Sequence, residues 1–559
     1  MANMIKKISP FKPPAKFWSR SWASIIQLII NGMIKSGLVI GSYYLIKNLS
    51  GQIRSQSAIN TNHIVLLIVI AFTLLLLRIH ERYTAEKMSQ RYINRIRSAL
   101  LKRIMRASVR SIQQKTIGNL SSRLAGDLSA IKRWLSLGIS RLVTHSILLM
   151  IIVGLIYRVN TQLGLYITAT VTGLIIISMV TGNFLKNSIG KVRRNRIRIH
   201  SLLVERLASI ATLRAMGKEQ KEVRKINRQA STLEKNIAKQ GIFLGILRGI
   251  GDASSVLLIS LFFGFQYLNP NTLSTDEITA LIAIILFINS PIRELGRVQE
   301  YFQGAKLSFL KLQELYEIPR IIRGKNSLDN VVKANGEIKI RNLNLTGTFD
   351  NLNLQAKSGD HIALIGKNGA GKSTLIQLLL GLIKAEYGSI KVNGISPQKT
   401  PSLERGKHIG VSGSDFKIIK SSLLDNLTYR TKEYNQNEFD SLIEFCQLQP
   451  LIKVLPDGIH TKVSENGNNF SSGEKAKIAL FRALLGHPSL LILDEPENYL
   501  DKKGLEIIKT LLADYQGTII IATHHKQLIA LCNRQWNLSS NTNNTLTIID
   551  KNESNTLKK

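Results

Sequence analysis

Cysteine is almost missing from this chain, and acid is in short supply. Cys446 and Cys532 are the two thiols among 559 residues, which excludes a disulfide framework, has no metal-ligand spacing and fits a reduced cytosolic compartment. Asp and Glu number 37 against 75 Lys and Arg, for a formal net charge of +38. Such an excess often marks a nucleic-acid binder, yet no reading motif and no basic face interleaved with aromatics occurs, so nucleic acid is not expected as a partner. Much of the positive charge flanks apolar runs instead, as membrane orientation requires. No apolar stretch of signal-peptide type precedes residue 24. Lys6, Lys7, Lys12, Lys16 and Arg20 therefore read as a charged cytosolic segment, 1–23.

The length calls for two to four domains. Up to about residue 300 the chain carries long apolar runs, and beyond it the pattern is that of an α/β domain. Six membrane spans are expected, at about 24–46, 63–79, 137–157, 163–185, 242–267 and 277–295, most near the roughly 20 residues a helix needs to cross hydrocarbon. The stretches 80–136 and 186–241 are rich in Lys and Arg and nearly free of helix breakers, with no proline from Arg78 to Leu185. They read as cytosolic helical extensions of the spans, which places both termini in the cytosol. Charges inside spans are costly and tend to face a cavity or a partner. Lys35 is expected to line a cavity, pair or snorkel; Arg141 and His145 lie early in span three. Arg248 and Asp252, four apart, are expected to pair on one helix face. Asn289, Ser290 and Pro291 interrupt span six, where a kink is expected.

Gly366, Lys367, Asn368, Gly369, Ala370, Gly371, Lys372, Ser373 and Thr374 form a complete G-x-x-x-x-G-K-[ST] loop between the apolar strand Ile362–Ile365 and a helix, the context this motif requires. Its glycines let backbone N–H groups turn toward phosphate oxygens at a positive helix end. Lys372 can reach the outer phosphates and Ser373 can place a hydroxyl on Mg²⁺. Downstream, Leu490–Leu493 is an apolar strand ending in Asp494 and Glu495. Asp494 is suited to hold Mg²⁺, and Glu495 to orient or deprotonate an attacking water. A further apolar strand, Ile519–Ala522, ends in Thr523 and His524; His524 is placed to bond a γ-phosphate.

At these residues the chain resembles the ATP-binding cassette transporters, in particular half-transporter exporters with a fused six-span membrane domain. Phe470-Ser471-Ser472-Gly473-Glu474 stands at the position of that family's signature, and Asp501 at its D-loop. Gly118–Leu124 with Asp127, and Glu205–Gly217, are similar to segments of its cytosolic loops. Departures are local. Ser414 falls where the family has a loop Gln, and Gly347 where it has an adenine-stacking ring, Phe349 being the ring nearby. Asn466, Ser472 and Glu474 replace an Arg, a Gly and a Gln.

The expected fold is thus multidomain: an all-α six-helix transmembrane domain (24–318), a linker (319–335), an α/β P-loop NTPase domain (336–545) and a polar tail (546–559). The resemblance implies ATP and Mg²⁺ as cofactors, and a second half-transporter, identical or different, as partner. Ser471, Ser472 and Gly473 of one chain would meet ATP on the other's phosphate loop, with Glu495 and His524 catalytic, Ser373 and Asp494 on the metal, and Asp501 beside the nucleotide. The implied activity is ATP-driven export of an unidentified peptide, lipid or small amphipathic molecule across a bilayer, in a bacterial inner (cell) membrane with the cassette in the cytoplasm. A membrane ATP-binding regulator or gated channel, and a soluble enzyme using the same cassette, are the other two readings. Lys35 and Arg141 suggest an acidic or amphipathic cargo. No protease domain with a catalytic Cys precedes the spans, so leader-peptide cleavage is not expected.

Overall fold

Helix starts in the first half are written in capping residues. Asn60 caps α2 (Thr61–Ile104) by accepting from the Asn62 N–H at 3.0 Å, and Asn160 caps α4 (Thr161–Ala208) through the Leu163 N–H at 3.0 Å. Ser274 and Glu277 form a reciprocal capping box at the start of α6 (Thr275–Tyr316). With α1 (Lys16–Arg54), α3 (Arg123–Val159) and α5 (Glu219–Leu268), these make six helices long and apolar enough to cross a membrane. The computed structural model describes residues 16–113, 117–270, 272–318, 335–431 and 433–538. The polar tail and nearly all of the expected linker lie outside the described residues, as do Lys6, Lys7 and Lys12.

The chain divides into two compact units: a helical one of residues up to Met105 and Gln113–Ile318, and an α/β one of Arg106–Ile112 with Pro319 onward. In the helical unit α2, α4 and α5 contain 44, 48 and 50 residues. At about 1.5 Å per residue they reach about 65–75 Å, more than twice the roughly 30 Å of bilayer hydrocarbon. The excess forms the helical extensions expected from the basic stretches. α3 carries two π-helical turns, Arg123–Asp127 and Trp134–Ile139. The unit's core joins Val39 and Tyr43 of α1, Ile152 of α3, Ile167 of α4, Phe262 of α5 and Ile284 of α6. Gly251 lets α5 approach α6 closely, since a Cβ there would lie 2.7 Å from the Arg293 Cα. Elsewhere apolar side chains face outward, as along Ile64, Leu66, Ile68, Phe72 and Leu75 of α2, the surface a helix presents to lipid.

Intramembrane charges find partners that spacing along one helix did not reveal. Lys35 pairs with Glu81 of α2, whose carboxylate also accepts from the hydroxyls of Ser140 and Thr144 at 3.2 and 3.1 Å. Arg141 pairs with Glu294 of α6 at 2.5 Å and donates to the Tyr301 hydroxyl at 3.2 Å. The expected Arg248–Asp252 pair is not formed among the described residues; both side chains are exposed, and neither has an ion-pair partner. A four-residue spacing permits contact along one helix face but does not require it. α6 also runs without a break through Pro291, so the helix continues past the expected interruption at Asn289, Ser290 and Pro291.

In the α/β unit, short apolar runs bounded by turns become buried parallel strands. β3 (His361–Ile365), β5 (Ile409–Gly413), β6 (Leu490–Asp494), β7 (Thr518–Ala522) and β8 (Arg534–Asn537) form a five-stranded sheet in the order β5-β6-β7-β3-β8. β1 (Ile338–Leu345), β2 (Phe349–Ala356) and β4 (Tyr387–Val392) form a separate antiparallel sheet, β2-β1-β4. Ile362, Leu364, Ile492 and Ile520 are fully buried between the two. The opposite face of the parallel sheet packs on α8 (Ser472–Leu484) and α9 (Lys502–Asp514) through Ile478, Phe481, Ile508 and Leu511.

Candidate nucleotide-binding site

Register sets the site. Leu364 of β3 lies opposite Ala522 of β7, and Ala522 lies opposite Asp494 of β6. The three strands therefore end level, at about 4.8 Å spacing. The phosphate loop, His524 and the Asp494–Glu495 pair leave the same edge within about 10 Å of one another. The carboxyl ends of parallel strands are where open α/β sheets bind ligands.

The loop Gly366–Gly371 leads from β3 into α7 (Lys372–Leu379). Its geometry demands glycine. Gly371 has φ +98°, and a Cβ there would lie 2.8 Å from the Thr348 methyl; at Gly366 a Cβ would come within 2.5 Å of the Leu538 carbonyl oxygen. Lys372 is buried, and its ammonium donates to the Gly366 carbonyl at 2.7 Å and lies 2.8 Å from His524 Nε2. Residues 152 apart in sequence thus share one position at the strand ends. The first-turn N–H groups of α7, including that of Ser373, have no acceptor within the helix and are available to an anion.

Glu495 occupies the left-handed region, at φ +49°. The Ala522 carbonyl accepts its N–H at 2.8 Å, and the Asn498 amide donates to its carboxylate at 2.7 Å. Strain at a charged residue that is both held and turned toward a cavity is a mark of function. Asp494 sits half-buried among Glu495, Asp415 and Glu497. Burial, then the charge of those carboxylates, pushes its pKa up to about 6, against the pull of Lys372. The Asp494 carboxylate and the Ser373 hydroxyl are hard-oxygen donors of the kind Mg²⁺ takes; among the described residues no group of three or more acids is arranged to hold a metal by itself. A cavity of about 340 Å³ opens against Asp494 and Glu495; Ser414, Asn466, Ser472 and Lys475 also line it.

Three residues at this edge were not singled out from sequence. Asn498 orients Glu495, as above. Glu497 accepts from the Thr523 hydroxyl and from the His524 N–H at 3.2 Å, tying the β6 turn to the β7 turn. Asp415 adds its charge to Asp494. The acid-rich run Asp494-Glu495-Pro496-Glu497 was the available signal for the second.

Of the signature residues, Ser472 lines this cavity. Ser471 caps α8 in a reciprocal box: it accepts from the Glu474 N–H at 3.2 Å, and Glu474 accepts from the Ser471 N–H at 2.7 Å. Glu474, which departs from the family's Gln, thus fills the N3 position of this box, which either residue can serve. Asp501 caps α9 through the Gly504 N–H at 2.8 Å. Among the described residues, no hydrogen bond or ion pair joins Ser471, Ser472 or Gly473 to the phosphate loop. Phe349 is not free to stack on a base: it is 4% exposed and packs in the core near Gly371. Gly347, at φ +74°, occupies a turn closed by the Thr348 N–H on the Leu345 carbonyl. An aromatic side chain would be strained there. Cross-strand pairing brings one exposed ring close, Tyr387, opposite Asn344.

Comparison with known proteins adds to this geometry. A family model for the ABC transporter transmembrane region matches residues 21–292, and one for the ABC transporter matches residues 349–498; together they take in well over half of the chain. The chain is 27% identical over 283 residues to the Arabidopsis thaliana protein named ABC transporter B family member 29, chloroplastic, covering 48% of this chain and 44% of that one. It is 25% identical to the Lactococcus lactis lactococcin-A transport/processing ATP-binding protein LcnC, over 69% of this chain and 55% of that one. The chain spans about half the length of these relatives. A solved structure described as a bacterial Atm1-family ABC exporter with ATP bound superimposes with a TM-score of 0.79 over 93% of each chain, at 17% identity, a likeness of fold.

Proposed function

The chain belongs to the ABC transporters, and on that premise we propose that it is half of an ATP-driven exporter whose cassettes hydrolyse ATP between them. One observation carries the reading. The phosphate loop, Glu495 and His524 converge at one strand edge, while the signature helix start makes no bond to that loop within the chain. Each chain thus offers two half-sites, which a second copy, identical or related, completes. The N-terminus of α8, with Ser471, Ser472 and Gly473, supplies backbone donors and a positive helix end to phosphate.

Within the site, Lys372 binds the outer phosphates, exchanging its present acceptors for phosphate oxygens. Ser373 and Asp494 would hold Mg²⁺, which would supply positive charge to the phosphate oxygens. Glu495, fixed by Asn498, orients the attacking water and accepts its proton. His524, whose N–H and neighbouring Thr523 are held by Glu497, contacts the γ-phosphate and registers its departure. Loss of that phosphate releases the paired cassettes and reshapes the helical unit. Six helices of the required length and composition support residence in a membrane; the location we propose is a bacterial inner membrane, with the cassette in the cytoplasm. The cargo class is a peptide, lipid or small amphipathic molecule. The lactococcin-A transporter's name favours the first.

Ser414, in place of a Gln, favours a second reading, an ATP-binding regulator or gated channel with poor turnover. Hydrolysis by the purified dimer decides between them. Glu495→Gln is expected to lower ATP turnover by about 10²–10⁴-fold while nucleotide binding persists. Unchanged turnover would refute the role of Glu495, and negligible wild-type turnover would favour the regulator.

A further inference from the structure

The helical unit contains a cavity of about 620 Å³ between α3, α4, α5 and α6. That volume lies within the range of small-molecule sites. Small residues open it: Gly126 and Ala130 on α3, and Gly304 on α6, where an added Cβ would meet nothing within 4 Å. The π-helical turn Arg123–Asp127 forms part of the wall. Single π turns inside α-helices widen the coil locally and are frequent at functional sites.

Charge on the wall is unbalanced. Arg193 is already engaged, paired with Asp127 and donating to the Ser308 hydroxyl at 2.8 Å. Arg133 and Arg196 also line the cavity, and among the described residues neither makes an ion pair. Glu300 is the one acid on the lining, and His200 adds a titratable group. The cations that sequence suggested for an acidic cargo, Lys35 and Arg141, are by contrast neutralised internally by Glu81 and Glu294. Positive charge lies lower in the bundle, where α4 carries Lys191, Arg194, Arg196 and Arg198 around the engaged Arg193. Uncommitted guanidinium groups in a concave site bind carboxylate or phosphate with charge-assisted, often bidentate bonds. Gln240 and the Tyr301 ring supply an amide and an aromatic face to the rest of a ligand.

We propose that this cavity is a binding site for an amphipathic organic anion, held at its acidic end by Arg133 and Arg196. The inference rests on the transport reading insofar as it names the cargo's chemistry. The same chemistry is offered by a soluble acid and by an anionic lipid headgroup.

The test uses the full-length protein in nanodiscs of zwitterionic lipid, with dansyl-glutamate as the fluorescent probe and dansyl-cadaverine as its cationic counterpart. Saturable binding of the first and not the second is expected. Arg133→Glu and Arg196→Glu should each weaken it by about tenfold or more, and Arg196→Lys by less. Gly304→Trp, which fills the cavity, should abolish it. Basal ATP turnover of each variant reports that it is folded. Displacement of the probe when phosphatidylglycerol is added to the disc, with no displacement by soluble N-acetyl-glutamate, assigns the site to headgroups; displacement by the soluble acid assigns it to a free anion. Equal affinity in wild type and both charge-reversed proteins overturns the proposal. Arginine-dependent binding without ATP turnover would leave this site standing and defeat the transport reading instead.

Discussion

The two halves of this molecule place their charged residues by opposite rules. In the helical unit, carboxylates such as Glu81 and Glu294 serve to neutralise cations in a medium that cannot hydrate them. In the α/β unit, Asp494, Glu495, Asp415 and Glu497 crowd together with too few cations, so that one of them is pushed toward its neutral form. Satisfied charge holds helices in place. Unsatisfied charge awaits a ligand. By this measure the cluster at the strand ends is a site and the Lys35–Glu81 pair is scaffold.

That contrast is open to direct attack. Removing Glu81 by Glu81→Ala should strand Lys35 among apolar helices at a cost of about 3–5 kcal/mol. Thermal unfolding in detergent would show it, and Lys35→Met combined with Glu81→Met should recover most of the loss. If Glu81→Ala unfolds like wild type, the pair is not scaffold. The carboxylate cluster should behave in the opposite sense. Asp494 must lose its proton to hold a metal, and it does so only above about pH 6. Mg²⁺-dependent retention of ATP should therefore be level above that pH and fall by up to about tenfold per unit below it. Without metal, the native state keeps a proton on Asp494 that the unfolded chain releases near pH 4. This group alone thus makes folding less favourable as pH rises from about 4 to about 6.

Smaller effects sharpen the same line. Ser471→Ala removes the cap of α8 and should cost about 1 kcal/mol of cassette stability, whereas Glu474→Gln keeps a box acceptor and should cost less. A loss from Glu474→Gln equal to that from Ser471→Ala would mean that the acid is needed for more than capping. Arg248→Ala should leave the unfolding temperature nearly unchanged, since among the described residues Arg248 makes no ion pair that the change would remove. A marked shift would mean that Arg248 meets something a single chain does not contain.

Much of the candidate site was legible because its residues are fixed by local geometry. The loop Gly366–Thr374 demands glycines where the backbone turns, and the apolar strands before Asp494 and His524 announce themselves as short buried runs. The Lys372–His524 contact was not legible, because it depends on β3 and β7 being neighbours in the sheet. Phe349 shows the limit from the other side. Its ring lies close in sequence to where a base would stack, but a register shift in the β1–β2 pairing, between Leu352 and Phe349, turns it into the core.

Sequence alone determined which segments are apolar enough to cross lipid, which loop turns on glycines between a strand and a helix and which carboxylates end a strand, since hydrophobic run length and turn chemistry act within a few residues. Only the tertiary structure decided which charges are spent. An ion pair between α1 and α2, or between α3 and α6, costs desolvation whose return depends on a partner 46 or 153 residues away. No local pattern encodes that distance. The pairing emerges when the helices pack, and with it the difference between a charge that holds the bundle and one still free to bind.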